Sequence, residues 1–471
     1  MKKTFRFLSM AALLVVGAIM TGCSSDDNID NPQQPANNDN VVTLTATVGF
    51  EANAGTRAIN GTTGVKTFES GKQIAVFYED ASGNLQKAES TDFTPTGDNT
   101  KATFTVTLST PKSGGQIRYI YPASMAKALD ATPLAYPAAA TIDDVTIDYS
   151  GIFGRQDGTL TTLADYDLAV KDATLSGTDQ PATVTLANPL AICKFTLKDE
   201  GTNDITGITR LTVSDGTNAY GISTSGLSEI YVAMKPVASG NIAFTAATAS
   251  KTYFRTVTGK SLAASTLYTN ITVGSMVELA KGNVFCSDGS VYADASAATT
   301  AGNSPVAMIA YLGNDAETSP TNTAFKNGLA LALQDADVSD TKMWCRQANA
   351  ICLGTQYNSS TKYNDLAGID NTDALVNHSH PEHNAAKAAR GYNSGTHPTG
   401  TSAWFLPSAG QWKKMKDAVG GYNNLGLREN AVYWSSTEST ANFAYYIDTK
   451  TGYCDTGSKS GDHWVRACLA F

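Results

Sequence analysis

Apolar and polar residues alternate along much of the first 280 residues. Val42 to Phe50 (VTLTATVGF) places apolar residues on one face and threonines on the other, and Ala102 to Leu108 (ATFTVTL) repeats the pattern. This period of two, with Thr on the polar face, is typical of half-buried antiparallel strands. Gly, Asn, Asp, Ser and Pro clusters separate further predicted strands at 73–78, 116–121, 183–187, 191–198, 208–214, 229–234, 252–257 and 267–273. We therefore expect two successive β-sandwiches, over 41–190 and 191–280.

The pattern changes after Lys281. Two short strands are predicted within 282–294 around the turn pair Asp288-Gly289. Further strands are predicted at 305–313, 443–448 and 464–471. Together with the helices below, they predict an α+β module over 281–471.

Two segments of this module have helical signals. In 341–354, Trp344, Ala348 and Ile351 follow at helical spacing, so a helix is predicted there. Ser408 and Gln411 have the spacing of a capping box, which predicts a second helix beginning at 409.

Composition places a boundary near residue 280. All five Trp and all five His lie after residue 340, so the last part differs in kind from the Thr-rich first part. With 42% hydrophobic residues, the chain can build cores. Its net charge of −9 argues against a nucleic-acid partner, because phosphate backbones are bound mostly through Lys and Arg.

The chain begins with an export signal. A basic start, Met1 to Arg6, precedes an apolar run to Met20 that is too short to span a bilayer. The following Thr21-Gly22-Cys23 resembles the lipobox of bacterial lipoproteins, although Met20 stands where Leu is usual. We expect a signal peptide over 1–22, lipidation at Cys23, a flexible acidic tether over 23–40, and an exported protein anchored in the outer membrane at the cell surface.

A resemblance covers about residues 40–278. The series VTLTATVGF, Thr56-Arg57-Ala58, KTFESGKQIAVFYED (66–80), KATFTVTL and IRYIYPASMA (117–126) resembles the fimbrillin family of lipoprotein pilins. The resemblance implies transthyretin-like sandwiches and assembly by strand exchange with other pilin subunits. It also implies cleavage between Arg57 and Ala58 by a trypsin-like protease, after which strand 41–50 leaves its groove. The alternative is an uncut surface loop.

A second resemblance covers about 340–471. AWFLPSAGQW, YWSSTES and WVRACLAF resemble a bacterial surface domain related to C-type-lectin-like and formylglycine-generating-enzyme-like folds. The calcium motifs of lectins and the copper-binding Cys pair of the enzymes are not found, so neither a cofactor nor enzymatic activity is expected. Analogy with the lectin-like topology suggests a disulfide between Cys345 and Cys468. The module has five cysteines, so at least one thiol has no partner within it.

Exposed aromatic rings are candidates for receptor contact, because sugars and apolar patches stack on them. The candidates are Tyr433, Tyr445, Tyr446, Tyr453 and Trp464. We expect Trp404, Trp412 and Trp434 to be core residues instead.

A histidine cluster is the one candidate metal site. His378, His380 and His383 form an H-x-H-x-x-H pattern that is able to bind zinc if the loop folds around the ion. Pro381 and Asn384 favour a solvated loop, which is our preferred interpretation.

These features predict a pilus tip subunit that acts as an adhesin. The segment VRACLAF is interpreted as a core strand, so the chain accepts a donor strand but offers none. A glycan or protein receptor would then bind the C-terminal module. The alternatives are a non-polymerising surface lipoprotein that binds glycans, a pilus anchor or accessory subunit, and, with least support, an enzyme.

Overall fold

The structure is a computed structural model. It describes the backbone of 41–50 and residues 68–96, 99, 101–126, 141–145, 147, 149–165, 168–317, 322, 324–345, 353, 363–378 and 382–471. The predicted signal peptide, Cys23, the tether, Arg57, Ala58 and His380 lie outside the described residues.

The described chain is mostly β-structure, as the alternation predicts. Its strands are β1 Val41–Phe50, β2 Ala75–Glu79, β3 Leu85–Glu89, β4 Thr94–Thr96, β5 Lys101–Ser109, β6 Gln116–Tyr121, β7 Ala169–Thr174, β8 Thr183–Leu186, β9 Ala191–Asp199, β10 Ile208–Ser214, β11 Ala219–Leu227, β12 Glu229–Met234, β13 Val237–Ala247, β14 Thr252–Leu262, β15 Thr266–Glu278, β16 Val284–Cys286, β17 Val291–Tyr292, β18 Pro305–Leu312, β19 Gly328–Ala332, β20 Lys342–Met343, β21 Val432–Glu438, β22 Phe443–Asp448, β23 Cys454–Ser458, β24 Asp462–His463 and β25 Cys468–Ala470.

The helices are short and lie mainly in the last part of the chain. The α-helices are α1 Ser150–Phe153, α2 Leu160–Asp165, α3 Ala295–Thr300, α4 Gly368–Val376, α5 Asn384–Arg390 and α6 Ala409–Val419; 3₁₀ turns lie at Ala123–Met125, Ile142–Asp144, Tyr392–Gly395 and Tyr422–Leu425. Among the described residues, no helix has the length and apolar character needed to cross a membrane.

Residues 41–186 form what we call the N-terminal sandwich. One sheet has the order β4-β5-β1-β8 and the other has the order β3-β2-β6-β7. Buried side chains of both sheets, such as Phe104 and Val106 from β5 and Val76 and Tyr119 from the other sheet, share one core. Both faces of this core therefore come from the alternating residues of the strands.

Residues 191–278 form the second sandwich, with the strand order β11-β10-β13-β14-β15-β9-β12. Phe195 on β9 meets Phe244 on β13 with ring centroids 5.0 Å apart. Two strands separate β9 from β13 in the sheet order, so this ring contact requires the sheet to fold back on itself. The result is two layers around one core.

Residues 281–471 form the C-terminal module. A five-stranded sheet, β17-β16-β18-β19-β25, is accompanied by the three-stranded sheet β21-β22-β23 and the pair β20-β24. The predicted capping box is confirmed: Ser408 and Gln411 bond reciprocally at the start of α6. Trp404, Trp412 and Trp434 are fully buried, also as predicted.

Two predicted elements of this module differ from the structure. Lys342 and Met343 pair with His463 and Asp462, so no helix begins at 341; residues 346–352 are outside the described chain. The predicted last strand, 464–471, is reduced to Cys468–Ala470. Trp464 instead forms a bridge to Tyr433.

Apolar contacts cross both predicted domain boundaries. Phe77 of the N-terminal sandwich shares a core with Ile192 and Ala233. The ring of Phe254 meets that of Phe285 at 5.0 Å. Residues 41–471 accordingly form one compact unit by their contacts.

Candidate functional sites: an inner strand and an aromatic sheet

Strand β1 has a neighbour on each side. It pairs antiparallel with β5 from Val41–Ser109 to Gly49–Lys101, and parallel with β8 from Thr47–Thr183 to Phe50–Leu186. It therefore occupies an inner position of its sheet. A strand at this position satisfies main-chain groups on two neighbouring strands at once.

The residues opposite β1 are apolar and buried at every second position. In β5 these are Ala102, Phe104, Val106 and Leu108, which are at most 2% exposed. In β8, Val184 is 2% exposed and Leu186 is fully buried. We call the place between β5 and β8 the β1 slot. Without β1, this slot would expose two strand edges and part of the core, which is the situation that strand addition repairs.

The predicted disulfide between Cys345 and Cys468 is wrong. Cys468 is a free thiol and forms no disulfide bond, and the same holds for Cys193, Cys286 and Cys454. Cys468 lies in the core around Leu329 and Trp412, whereas Cys345 lies in another core, which it shares with Leu469. Adjacent residues of β25 point to opposite faces, so the sheet separates the two sulfur atoms.

The five aromatic residues predicted to contact a receptor differ in their exposure to solvent. Tyr433 is fully buried and its hydroxyl accepts a hydrogen bond from Arg428 N at 3.0 Å. Tyr445 is 8% exposed. Both are core residues, so the prediction that they contact a receptor is wrong. Tyr453 is 73% exposed, and Tyr446 and Trp464 are half-buried.

Trp464 already has a partner on one face. The guanidinium of Arg428 lies 3.8 Å from the centre of its ring, and Arg428 Nε donates to Asp335 Oδ2 at 2.7 Å. The ion pair with Asp335 fixes the guanidinium of Arg428 over the Trp464 ring. A ligand would have to displace the guanidinium in order to bind that face of the ring.

Tyr446 lies in a cluster of rings that the sequence did not predict. Its ring meets that of His463 edge-on at 5.2 Å, and the ring of His463 is tilted against that of buried Trp434 at 4.2 Å. A Cβ at Gly457 would come within 3.0 Å of Tyr446, so the glycine makes room for the ring. Burial lowers the pKa of His463, which favours a neutral imidazole in this cluster.

Phe443 is a second residue that sequence reasoning missed. It begins β22 and is 44% exposed. Phe443 and Tyr446 belong to β22, and Tyr453 directly precedes β23 of the same sheet. We call these three residues the aromatic set. The alternation of 443–448 contained no signal for this exposure, because it places Phe443 on the same face as Tyr445 and Ile447, which are both buried.

The predicted solvated loop is wrong at His383, and His380 lies outside the described residues. His383 is fully buried, its ring lies 5.0 Å from that of His378, and neither of its nitrogens has a hydrogen-bond partner. Burial lowers its pKa to about 4. Within the described ranges, no three His, Cys, Asp or Glu side chains are grouped to hold a metal ion.

A buried ion pair lies beside this histidine. Lys459 Nζ donates to Glu438 Oε1, and the two side chains are 0% and 3% exposed. The ammonium is 5.0 Å from the centre of the Trp344 ring. His383 is therefore part of a polar interior, with Trp344 6.1 Å away on one side.

Comparison with known proteins gives structural neighbours only. No family model matches the sequence, and no curated protein matches it significantly. A fimbrial protein from Bacteroides ovatus ATCC 8483 has 14% identity and a TM-score of 0.33, over 92% of this chain and 100% of that one. A fimbrial assembly protein from Parabacteroides distasonis ATCC 8503 has 11% identity and a TM-score of 0.28, over 50% and 93%.

A shaft pilin from Lactobacillus rhamnosus GG is also similar, with 10% identity and a TM-score of 0.20, over 50% of this chain and 97% of that one. Similarity at this level concerns the arrangement of strands and transfers no residue role.

Proposed function

We propose that this chain is a fimbrial subunit that joins its neighbour by strand exchange and contacts a receptor through its C-terminal module. The observation that carries this proposal is the inner position of β1, between β5 and β8. A strand from another pilin subunit that replaced β1 would recover the main-chain pairing on both sides. Cleavage between Arg57 and Ala58 is the step that would release β1.

The position of β25 supports a place at the filament tip. Residues Cys468–Ala470 pair with β19, and Phe471 is fully buried with its ring 5.1 Å from that of Phe285. This strand belongs to the core of its own module and is not available to a neighbouring subunit. The subunit thus accepts a strand through the β1 slot without donating this one.

The aromatic set supports an adhesive role. Tyr453 and Phe443 are the two aromatic residues among the exposed large hydrophobic side chains of the described chain. Aromatic rings at a surface stack on sugars and pack against apolar protein patches. The receptor is accordingly a glycan or a protein, and lipidation at Cys23 would hold the subunit at the outer membrane before assembly.

Cleavage is tested on protein recovered from sheared fimbriae. Wild-type protein should begin at Ala58, and Arg57→Ala should keep β1 and be lost from the filaments. Arg57→Lys is the matched control, because a trypsin-like protease cuts after either residue. A wild-type filament protein that begins at Cys23 would contradict strand release.

Location is tested by immunogold labelling of whole cells. Label at filament tips is expected. Label confined to the cell body would instead favour the alternatives, namely a non-polymerising glycan-binding lipoprotein or a pilus anchor.

A further inference from the structure

The second sandwich has an open seam between β14 and β15. These strands have 11 and 13 residues, yet in the described chain they pair with each other only at Tyr253–Glu278 and Phe254–Val277. On their other sides, β14 pairs with β13 and β15 pairs with β9 along most of their lengths. After Phe254 the facing edges separate, so both present main-chain groups without a partner strand.

Arg255 marks the point where the pairing ends. Its Nη1 donates to the carbonyl oxygen of Ser275 at 3.0 Å, so a side chain crosses the seam in place of a main-chain bond. Ser275 has a φ of 53° and lies within a register shift of β15 against β9. This bulge turns β15 away from β14.

The floor of the seam is the core of the sandwich. A cavity of about 340 Å³ lies between the two strands, and its apolar lining includes Phe195, Ile242, Phe244, Val257 and Ile271. Phe195 and Phe244 are at most 2% exposed, whereas Val257 and Ile271 are half-buried. A side chain that enters between the strands would therefore meet an apolar surface.

The rim of the cavity is cationic at Lys260, which is exposed and lines it. Arg255, at the closed end of the seam, lines a second cavity together with Asp288. Among the residues that the structure describes, none of those lining the cavity at Lys260 is acidic. The seam therefore attracts a segment that carries acidic residues beside its apolar ones.

We propose that the seam binds an extended segment of a partner protein that has apolar residues at alternate positions and acidic residues at its ends. Two unpaired strand edges select an extended chain, the floor accepts every second side chain, and the rim selects negative charge. This surface is separate from the β1 slot and does not depend on cleavage at Arg57.

A peptide from this chain has the required chemistry and is the probe. Residues 39–51 (DNVVTLTATVGFE) alternate between Val42 and Phe50 and carry Asp39 and Glu51 at the ends. A fluorescent form of this peptide is titrated into the full chain. Saturable binding is expected, and a scrambled peptide without alternation should not bind.

Two substitutions locate the binding. Val257→Asp should weaken it about tenfold, because it places a charge on the apolar floor. Lys260→Glu, at an exposed position, should weaken it about fivefold by reversing the rim charge. Lys450→Glu makes the same charge change on an exposed turn of the C-terminal module and should leave binding unchanged. Circular dichroism checks that each variant is folded.

Equal affinity of the wild type and Lys260→Glu would overturn the proposal, and so would the absence of binding. Neither result would affect the test of cleavage between Arg57 and Ala58, so the two proposals can fail separately. Cross-linking of the peptide to β5 or β8 would place it in the β1 slot, which supports strand exchange and overturns binding at the seam.

Discussion

The interiors of the N-terminal sandwich and the C-terminal module differ in kind. Within the described residues of the sandwich, the buried polar side chains are uncharged: Ser90, Gln156 and Gln180. The described part of the C-terminal module also buries charged side chains, namely Glu317, Asp335, Glu438, Lys459 and Arg466. The interior of the N-terminal sandwich is therefore stabilised mainly by apolar side chains at alternate strand positions. The interior of the C-terminal module also depends on specific partners for its charged side chains.

This difference would explain why the proposed strand exchange concerns the N-terminal sandwich and not the C-terminal module. The β1 slot should accept other strands that have apolar residues at every second position, because main-chain ladder bonds do not depend on side-chain identity. Asp335, by contrast, accepts from Arg466 Nε at 2.8 Å and from Arg428 Nε at 2.7 Å. Such a network is stable only when each member has its own partner.

Removal of β1 is expected to have the largest effect. A chain that begins at Glu51 should lose protection from hydrogen exchange throughout β5 and β8, because both strands lose a neighbour. Added peptide 39–51 should restore that protection. The C-terminal module should keep its protection, and its simultaneous loss would contradict the proposed difference between the regions.

Removal of Asp335 tests the polar interior. Asp335→Ala leaves the buried guanidinium of Arg466 without its carboxylate and should cost about 3–5 kcal/mol in urea unfolding. The double variant Asp335→Leu with Arg466→Met removes both charges and should recover much of the loss. A loss below about 1 kcal/mol in the single variant would show that the network is not required.

Acid should destabilise the C-terminal module through His383. The pKa of this residue is about 4 in the folded protein and about 6.5 when unfolded, so the unfolded state binds the proton first. Stability is complete above the unfolded pKa and falls as the pH drops towards 4. Between pH 7 and 5 the loss should be about 2 kcal/mol.

His383→Leu should remove that dependence, which unfolding curves at several pH values would measure. The same pH dependence in wild type and variant would contradict the assignment. The N-terminal sandwich has no histidine, so its own free energy of unfolding should not change between pH 7 and 5.

Loss of a helix cap should have the smallest effect. Ser408→Ala removes the side-chain oxygen that accepts from Gln411 N and should cost about 1–2 kcal/mol, because the cap is fully buried. Asp294→Ala removes the exposed cap of α3, whose carboxylate accepts from Ala297 N at 2.8 Å, and should cost about 0.5 kcal/mol. Equal costs in thermal unfolding would show that burial does not strengthen the cap.

Alternation alone located most strands of the first two regions. The predicted bounds of β6, β10 and β12 agree with the structure at both ends. Strands β11 and β13 were missed, because their Gly, Ser and small residues interrupt the pattern. Both pair with β10, so a neighbouring strand imposes the extended backbone that their own residues do not favour.

Whether a predicted site residue is exposed or buried depended on the tertiary structure more than the strand bounds did. Tyr433 and Tyr453 are the same residue type, yet one is fully buried and the other is 73% exposed. The helix predicted at 341–354 is wrong at its start, because Lys342 pairs with His463, which is distant in the sequence. Local spacing contains no information about such a partner.

The strand periodicity, the helix start at Ser408 and the location of Trp and His in the last part of the chain could all be inferred from the amino-acid sequence alone. These properties depend on neighbours within a few residues, so they can be inferred from spacing. The sequence could not show that β1 lies between β5 and β8, that His383 is buried, or that β14 and β15 leave a seam; these became apparent in the folded chain. Each of these depends on contacts between segments far apart in the chain, which form when the whole chain packs.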